Sequence, residues 1–332
     1  MPPRGRGPPV SGRPRARGTA RAWAELLRVS ALVSVPGDAL AGAATAGARP
    51  GRGTLRAIGA SLCLYEAGMA LNDWADREED ARERPHRPLP SGRVAPAAAL
   101  AASAALTLAG LGLAARAGRP ALATATALAT TVWAYDLGLK HTPAGPATMA
   151  TARALDLLLG AVASTPTPTP TPTTVPSAAV STAAAPATAT AAATTGPSPH
   201  PARALPAAAL LGAHTYAVTA VSRHETRGGS TRTPLAALAV TLAVAAGASG
   251  APRSPFGPLL ALAYARTPAT RLLHAALNPS AALTERAVAG GIRATIPLQA
   301  ALAARGGAPG TALGLLGLIP AARALARKVS PT

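Results

Sequence analysis

Between Leu71 and Arg93 the chain reads LNDWADREEDARERPHRPLPSGR, and six of its 13 acidic residues (Asp73, Asp76, Glu78, Glu79, Asp80 and Glu83) fall there. Five arginines, from Arg77 to Arg93, share the stretch. In a helix, steps of four place Asn72, Asp76 and Asp80 on one face with Asp73 beside them. Carboxylates crowded this way repel one another unless a cation joins them. Mg²⁺ prefers a few carboxylate oxygens together with waters and phosphate oxygens, and guanidinium groups pair with phosphate in bidentate fashion. The residue types therefore suit a diphosphate held by metal and arginine. The same alternation of charge would also arise in a solvated helix laced with i,i+4 pairs.

The elements that must position this stretch are apolar. A membrane span needs roughly 20 mostly apolar residues, and runs of that kind lie near 22–46, 54–74, 94–116, 119–139, 146–164, 204–222, 233–250, 288–304 and 309–327. A further segment, 255–275, is interrupted by Arg266 and Arg271. Backbone polar groups in lipid must be satisfied within the segment, so these spans are expected to be helices. The fold class expected is all-α, a polytopic membrane bundle of about nine transmembrane helices. The chemical stretch begins where the second span ends, at the mouth of the bundle.

Composition narrows the function further. The net charge of +19 is carried almost entirely by arginine, the lysines being Lys140 and Lys328, and the arginines sit between long apolar runs. A nucleic-acid binder is expected to show a basic stripe with stacking aromatics, whereas aromatics make up 2% of this chain, so no nucleic-acid partner is expected. One cysteine, Cys63, excludes an intramolecular disulfide framework and a multi-cysteine metal site. Residues 1–21 are basic and rich in Pro and Gly, and read as a disordered tail. A signal peptide competes for 26–46, but Pro36, Gly37 and Asp38 interrupt its apolar core. Retained as a first span with the tail inside, it places the loop at 75–93, the Lys140–His141 turn and the loop at 223–232 on the cytoplasmic side of the cell membrane. Residues 165–202 are low-complexity Thr/Pro/Ala, too poor in large apolar side chains to bury a core. They interrupt a domain expected over 22–328.

Asn72-Asp73-x-x-Asp76-x-x-x-Asp80, followed by Arg84-Pro-x-Arg87-Pro-Leu-Pro-Ser-Gly92, resembles the signature of the UbiA superfamily of intramembrane prenyltransferases. That resemblance implies nine helices around a central cavity, with active-site loops after helices 2 and 6. It implies a prenyl diphosphate donor, a lipophilic or aromatic acceptor, a lipid bilayer and Mg²⁺. Asp73, Asp76 and Asp80 would be catalytic; Asn72, Asp76, Asp80 and Glu225 would face the metal. Asn72, Arg84, Arg87, Lys140, Arg223 and Arg227 would bind the diphosphate.

Tyr135-Asp136 with Lys140 is similar to the family's Tyr/Lys segment, lengthened by one residue. Asp136 and Lys140 stand four apart, one helical turn, and could equally be a snorkelling lysine with its counterion beside an interfacial aromatic. Arg153 and Asp156, inside the fifth span, suggest a cavity-facing pair, or equally a structural ion pair. Trp74, Trp133, Tyr135, Tyr65 and Tyr216 are the aromatics available to flank a carbocation.

The departure is the second loop. Where the family carries a second aspartate cluster, residues 222–229 read SRHETRGG and Glu225 is the one carboxylate. With the segment AGGIRATIPLQ (289–299), this pattern resembles the divergent EboC-like branch. A protein that binds or transports an isoprenoid-like or amphipathic molecule without turning it over is the alternative that loop supports.

Overall fold

The computed structural model describes residues 16–28, 34–165, 198–226, 228–250 and 256–329. Among these residues every regular element is helical. In chain order the helices are α1 (Ala16–Leu26), α2 (Val35–Thr45), α3 (Arg52–Ala75), α4 (Arg77–Glu83), α5 (Pro96–Ala117), α6 (Arg119–Leu137), α7 (Gly145–Ser164), α8 (Leu205–Ser222), α9 (Arg232–Ser249), α10 (Gly257–Leu277), α11 (Ala281–Arg305) and α12 (Pro309–Val329). Short 3₁₀ turns at Leu139–His141 and Pro201–Ala204 precede α7 and α8. Among the described residues four segments, Pro96–Ala117, Pro201–Ser222, Arg232–Ser249 and Ala281–Arg305, are long and apolar enough to cross a membrane.

Three expectations change. The first span, read as 22–46, is two helices: α1 ends at Leu26, and Arg28 takes a left-handed conformation (φ 48°). Pro36 stands at the start of α2, where its missing N–H costs nothing, so it begins a helix and does not continue one. Residues 16–21, assigned to the basic tail, form the first turns of α1. The ambiguous segment at 255–275 is a continuous helix, α10, that runs through Pro268 and packs against α9 and α11. Most of the Thr/Pro/Ala insertion and Arg227 lie outside the described residues.

Alanine and glycine set the packing. Where large side chains are absent, helices associate by close backbone approach. Gly160 on α7 shows how close: a Cβ there would sit 2.3 Å from the Ala39 Cα on α2. The 11-residue α2 is consequently buried along nearly its whole length, wedged between α7 and α11 at the centre of the bundle. Two cores meet at it. One joins Ala41 and Leu157 with Leu211, Tyr264 and Leu302; the other joins Ala39 with Ala57, Leu64, Ala125 and Leu159.

The ends of the bundle differ. At one, loop 46–51, Arg116 and residues 199–203 gather: the His200 N–H donates to the Ala46 carbonyl, and Arg56 donates to the Arg116 carbonyl. At the other lie α1, α4 and the loops after α3, α6, α8 and α10. Gly228 (φ 63°) and Gly229 make the turn that seats the loop after α8 on the α10–α11 junction, and the Gly229 N–H donates to the Pro279 carbonyl at 2.7 Å. A Cβ on Gly228 would meet that same carbonyl oxygen at 2.6 Å, so only glycine fits there.

Candidate active site

A cavity of about 260 Å³ opens toward the loop-rich end between α3, α6 and α7. Helical spacing builds it. Ser61, Leu64, Tyr65, Gly68, Met69 and Asn72 form the i, i+3, i+4, i+7, i+8, i+11 stripe of α3. Leu128, Val132, Tyr135 and Asp136 from α6, and Met149, Ala152, Arg153 and Asp156 from α7, complete the wall, with Arg28 at the rim. The middle is apolar and both ends are polar.

At the mouth, α3 ends at Ala75 and Asp76 (ψ 3°) bends the chain into α4, while backbone hydrogen bonds run on from Asn72 through Asp76 to Asp80 and Arg84. The three aspartates of the stretch thus stay on adjoining turns, and each finds a basic partner. Asp80 takes a 2.7 Å bond from Arg87 and lies 3.6 Å from Arg84. Asp73 lies 3.4 Å from Arg28 and 3.6 Å from Arg87. Asp76 contacts Lys140 at 2.5 Å, and His141 lies 3.9 Å away.

Lys140 therefore does not share a helical turn with Asp136. The helix stops at Leu137, Gly138 breaks it (φ −165°, ψ −41°), and the following 3₁₀ turn swings Lys140 to Asp76. Asp136 instead accepts a 3.1 Å bond from Asn72 and faces the cavity.

The donor set fits a hard divalent cation in part. Ligand atoms of Asp76, Glu79 and His141 lie within 4.8 Å of one another. Of the four residues expected to face metal, Asp76 belongs to this group. Asp80 is turned to Arg87 and Arg84, Asn72 to Asp136. Glu225 stands in the loop after α8, where burial raises its carboxyl above the usual range and neighbouring Glu285 of α11 raises it further, against Arg84, which lowers it. Arg84 thus links the two loops electrostatically. Arg223 reaches across to the α6–α7 turn, donating to the Thr142 carbonyl beside His141.

The floor holds a second polar group. Arg153 and Asp156 both line the cavity, but the ion pair of Arg153 is with Asp38 of α2, at 2.9 Å. Asp156 accepts from Ser61. Gln299 of α11 donates to Asp38 at 2.6 Å and to the Ser34 carbonyl at 2.9 Å. Of the aromatics named from sequence, Tyr65 and Tyr135 line the cavity. Trp74 stacks under Arg77, Trp133 donates to Thr107, and Tyr216 is exposed.

Sequence reading missed Arg28, Glu79, His141, Asp38, Ser61, Gln299 and Glu285 as members of these groups. Glu79 and His141 stood beside residues already singled out. Asp38 and Gln299 carried a signal of another kind, polar side chains inside apolar runs. Arg28 carried none.

α1 completes the mouth. Its Ala22 and Leu26 pack with Ala70, Leu89 and Val94, and Glu25 takes two hydrogen bonds from Arg93, at 2.7 and 3.1 Å. The helix is thereby tied to the proline-rich segment that follows α4.

Comparison with known proteins fits this arrangement. The model of the UbiA prenyltransferase family matches residues 33–284. Digeranylgeranylglyceryl phosphate synthase of Methanothrix thermoacetophila is 56% identical over 41 residues, 12% of this chain and 15% of that protein. The synthase of the same name from Methanopyrus kandleri is 39% identical over 79 residues, 24% of this chain and 29% of that protein. The matched stretches thus span less than a third of these relatives. A UbiA homolog from Aeropyrum pernix aligns with a TM-score of 0.55 at 18% identity, over 82% of this chain and 96% of that one. One from Archaeoglobus fulgidus, bound to GPP and Mg²⁺, aligns with a TM-score of 0.54 at 12% identity, over 82% and 99%. At these identities the structural likeness carries the fold.

Proposed function

The chain belongs to the UbiA prenyltransferase family, and from that premise we propose that it moves an isoprenoid group from a prenyl diphosphate to a lipophilic or aromatic acceptor in the cell membrane, with its loop-rich end toward the cytoplasm. One observation carries the reading: a cluster of carboxylates and basic side chains stands at the mouth of an apolar cavity whose wall is the same face of α3.

The division of labour follows from position. Arg28, Arg84, Arg87 and Lys140 hold carboxylates that a diphosphate could replace as partner, and Arg223 stands in the neighbouring loop. Mg²⁺ held by Asp76 with Glu79 and His141, next to Asp73 and Asp80, would offset the charge of the diphosphate. As the allylic C–O bond breaks, its electron pair leaves with the diphosphate and positive charge develops on the isoprenoid carbon. Tyr65, Tyr135, Met69 and Met149 wall that region and keep water from it. The acceptor nucleophile then forms the new bond and loses a proton. Asp136, held by Asn72 at the diphosphate end of the cavity, is the carboxylate best placed to take it.

Membranes containing the protein, incubated with labelled C10–C20 prenyl diphosphates and a cell extract, should yield a prenylated product that depends on Mg²⁺ and is lost in Asp76→Ala. Product that persists in the variant would sink the assignment of the mouth cluster. The loop at 222–229, with Glu225 as its one carboxylate, supports a second reading as a binding or transport protein. Tight donor binding with no diphosphate released across acceptors would favour that reading.

A further inference from the structure

α10 runs as one helix although Arg266 stands near its middle and Arg271 follows five residues later. At about 1.5 Å per residue, the two lie roughly 16 and 9 Å from the helix end at Leu277. With Arg286 and His274 they line an open groove of about 580 Å³ between α10 and α11, on the outside of the bundle. Arg266, His274 and Arg286 are exposed. Arg271 is partly buried and donates to the Arg286 carbonyl at 3.1 Å. Among the described residues, none of these three guanidinium groups has a carboxylate within ion-pair distance, whereas the arginines of the cavity mouth and floor each have one.

The lining adds Thr267 and Thr270, and apolar side chains flank it. Leu262, Leu273 and Leu277 continue the exposed stripe of α10, and Leu283 lies within the groove. A guanidinium facing hydrocarbon without a counterion is costly and is tolerated where it meets an anion or reaches the interface. Basic pockets between membrane helices answer to lipid headgroups for this reason.

We propose that this groove seats the phosphate of an anionic phospholipid. Arg271 and Arg286 take the phosphate oxygens, Arg266 approaches from the bilayer side, and the acyl chains lie along Leu283 and the leucines of α10. The apolar rim selects a lipid over free phosphate, since a soluble anion gains nothing from it. The site stands apart from the cavity and does not depend on the transferase reading. Pro279, whose carbonyl holds Gly229, lies in the connection between His274 and Leu283 of the lining, so a bound lipid would brace the turn on which the loop after α8 rests.

The full-length protein in neutral detergent is titrated with phosphatidylglycerol, phosphatidylcholine or inorganic phosphate, and binding is read by native mass spectrometry and by thermal midpoint. Phosphatidylglycerol should bind and raise the midpoint, and the other two should not. Arg266→Gln with Arg286→Gln, which leaves the hydrogen bond donated by Arg271 in place, should weaken phosphatidylglycerol roughly 30-fold, at about fivefold per arginine. Arg52→Gln with Arg119→Gln, at the opposite end, should leave it unchanged. Equal binding of phosphatidylcholine, an equal effect of inorganic phosphate, or undiminished phosphatidylglycerol binding in the first variant would each overturn the proposal. If that variant unfolds, Arg266→Gln alone serves, and undiminished binding there overturns it equally.

Discussion

At the mouth of the cavity, Arg28 and Arg84 keep 41% and 47% of their side chains exposed while holding Asp73 and Asp80; at the floor, Asp38 is fully sealed and its partner Arg153 is 18% exposed. These guanidinium groups are open to solvent although the Asp73 and Asp80 side chains they hold are 7% and 4% exposed, so a phosphate can reach the arginines from outside without entering the core. A sealed pair is different. Its attraction roughly offsets the cost of desolvation, and removing one member strands a charge. The mouth is built for exchange and the floor for permanence, although one stripe of α3 reaches from one to the other.

The largest effect should come from breaking the floor. Arg153→Met leaves Asp38 without its cation and should lower stability by about 3–5 kcal/mol, measured by thermal unfolding in detergent. An unshifted midpoint would move the floor into the class of exchangeable pairs. Adding Asp38→Asn should recover part of the loss, because the stranded charge is then gone.

Asp76→Ala should lower turnover about 10²–10³-fold, and because it strands Lys140, whose side chain is 9% exposed, it should also cost stability. Asp76→Asn, which keeps a polar partner for Lys140, should lose turnover with less loss of stability. An equal loss of stability in both variants would mean that the charge of Asp76 holds the fold through Lys140. Asn72→Ala removes the donor to Asp136 and should cost about tenfold in kcat/KM, equivalent to ~1.4 kcal/mol; wild-type kinetics would separate Asp136 from the reaction.

The smallest effect belongs to the tie between α1 and the proline-rich segment. Glu25→Gln should cost no more than ~1 kcal/mol. Hydrogen bonding from Arg93 holds the Glu25 carboxyl below its usual 4.5. The contribution is therefore fully present above pH 4.5 and is lost as pH falls through the depressed value. A mutant whose difference from wild type stays constant across that acidic window would remove the ion pair from the account.

The legible parts of the molecule were those written in short-range spacing. Asn72, Asp76 and Asp80 fall on successive turns, and the apolar runs from 54 to 164 match α3, α5, α6 and α7 closely. What spacing could not carry were pairings made by tertiary packing. Asp38 meets Arg153 and Gln299 because α2 is wedged between α7 and α11, and Gln299 lies 261 residues from Asp38 in sequence. Local backbone breaks misled in two places. Gly138 ends α6 and sends Lys140 across to Asp76, and Pro36 starts a new helix inside what composition offers as one span. Glu285 near Glu225 escaped because it lies on a helix adjoining the loop and not in the loop itself.

The pairing of α3 with α5 has a consequence for how the chain enters the membrane. α5 is one of the four segments apolar enough to partition alone, and α3, which carries Glu66, Asn72 and Asp73, is not. The two pack along their length, with Ser103 donating to the Ala67 carbonyl at 2.9 Å and Gly110 against Ala60 and Leu64. The helix that carries the motif should therefore stay at the translocon until its follower emerges and then leave with it as a hairpin. A reporter fused after Ala95 should remain extractable by alkali and one fused after Gly118 should be integral. Stable integration at the earlier fusion would show that α3 inserts on its own.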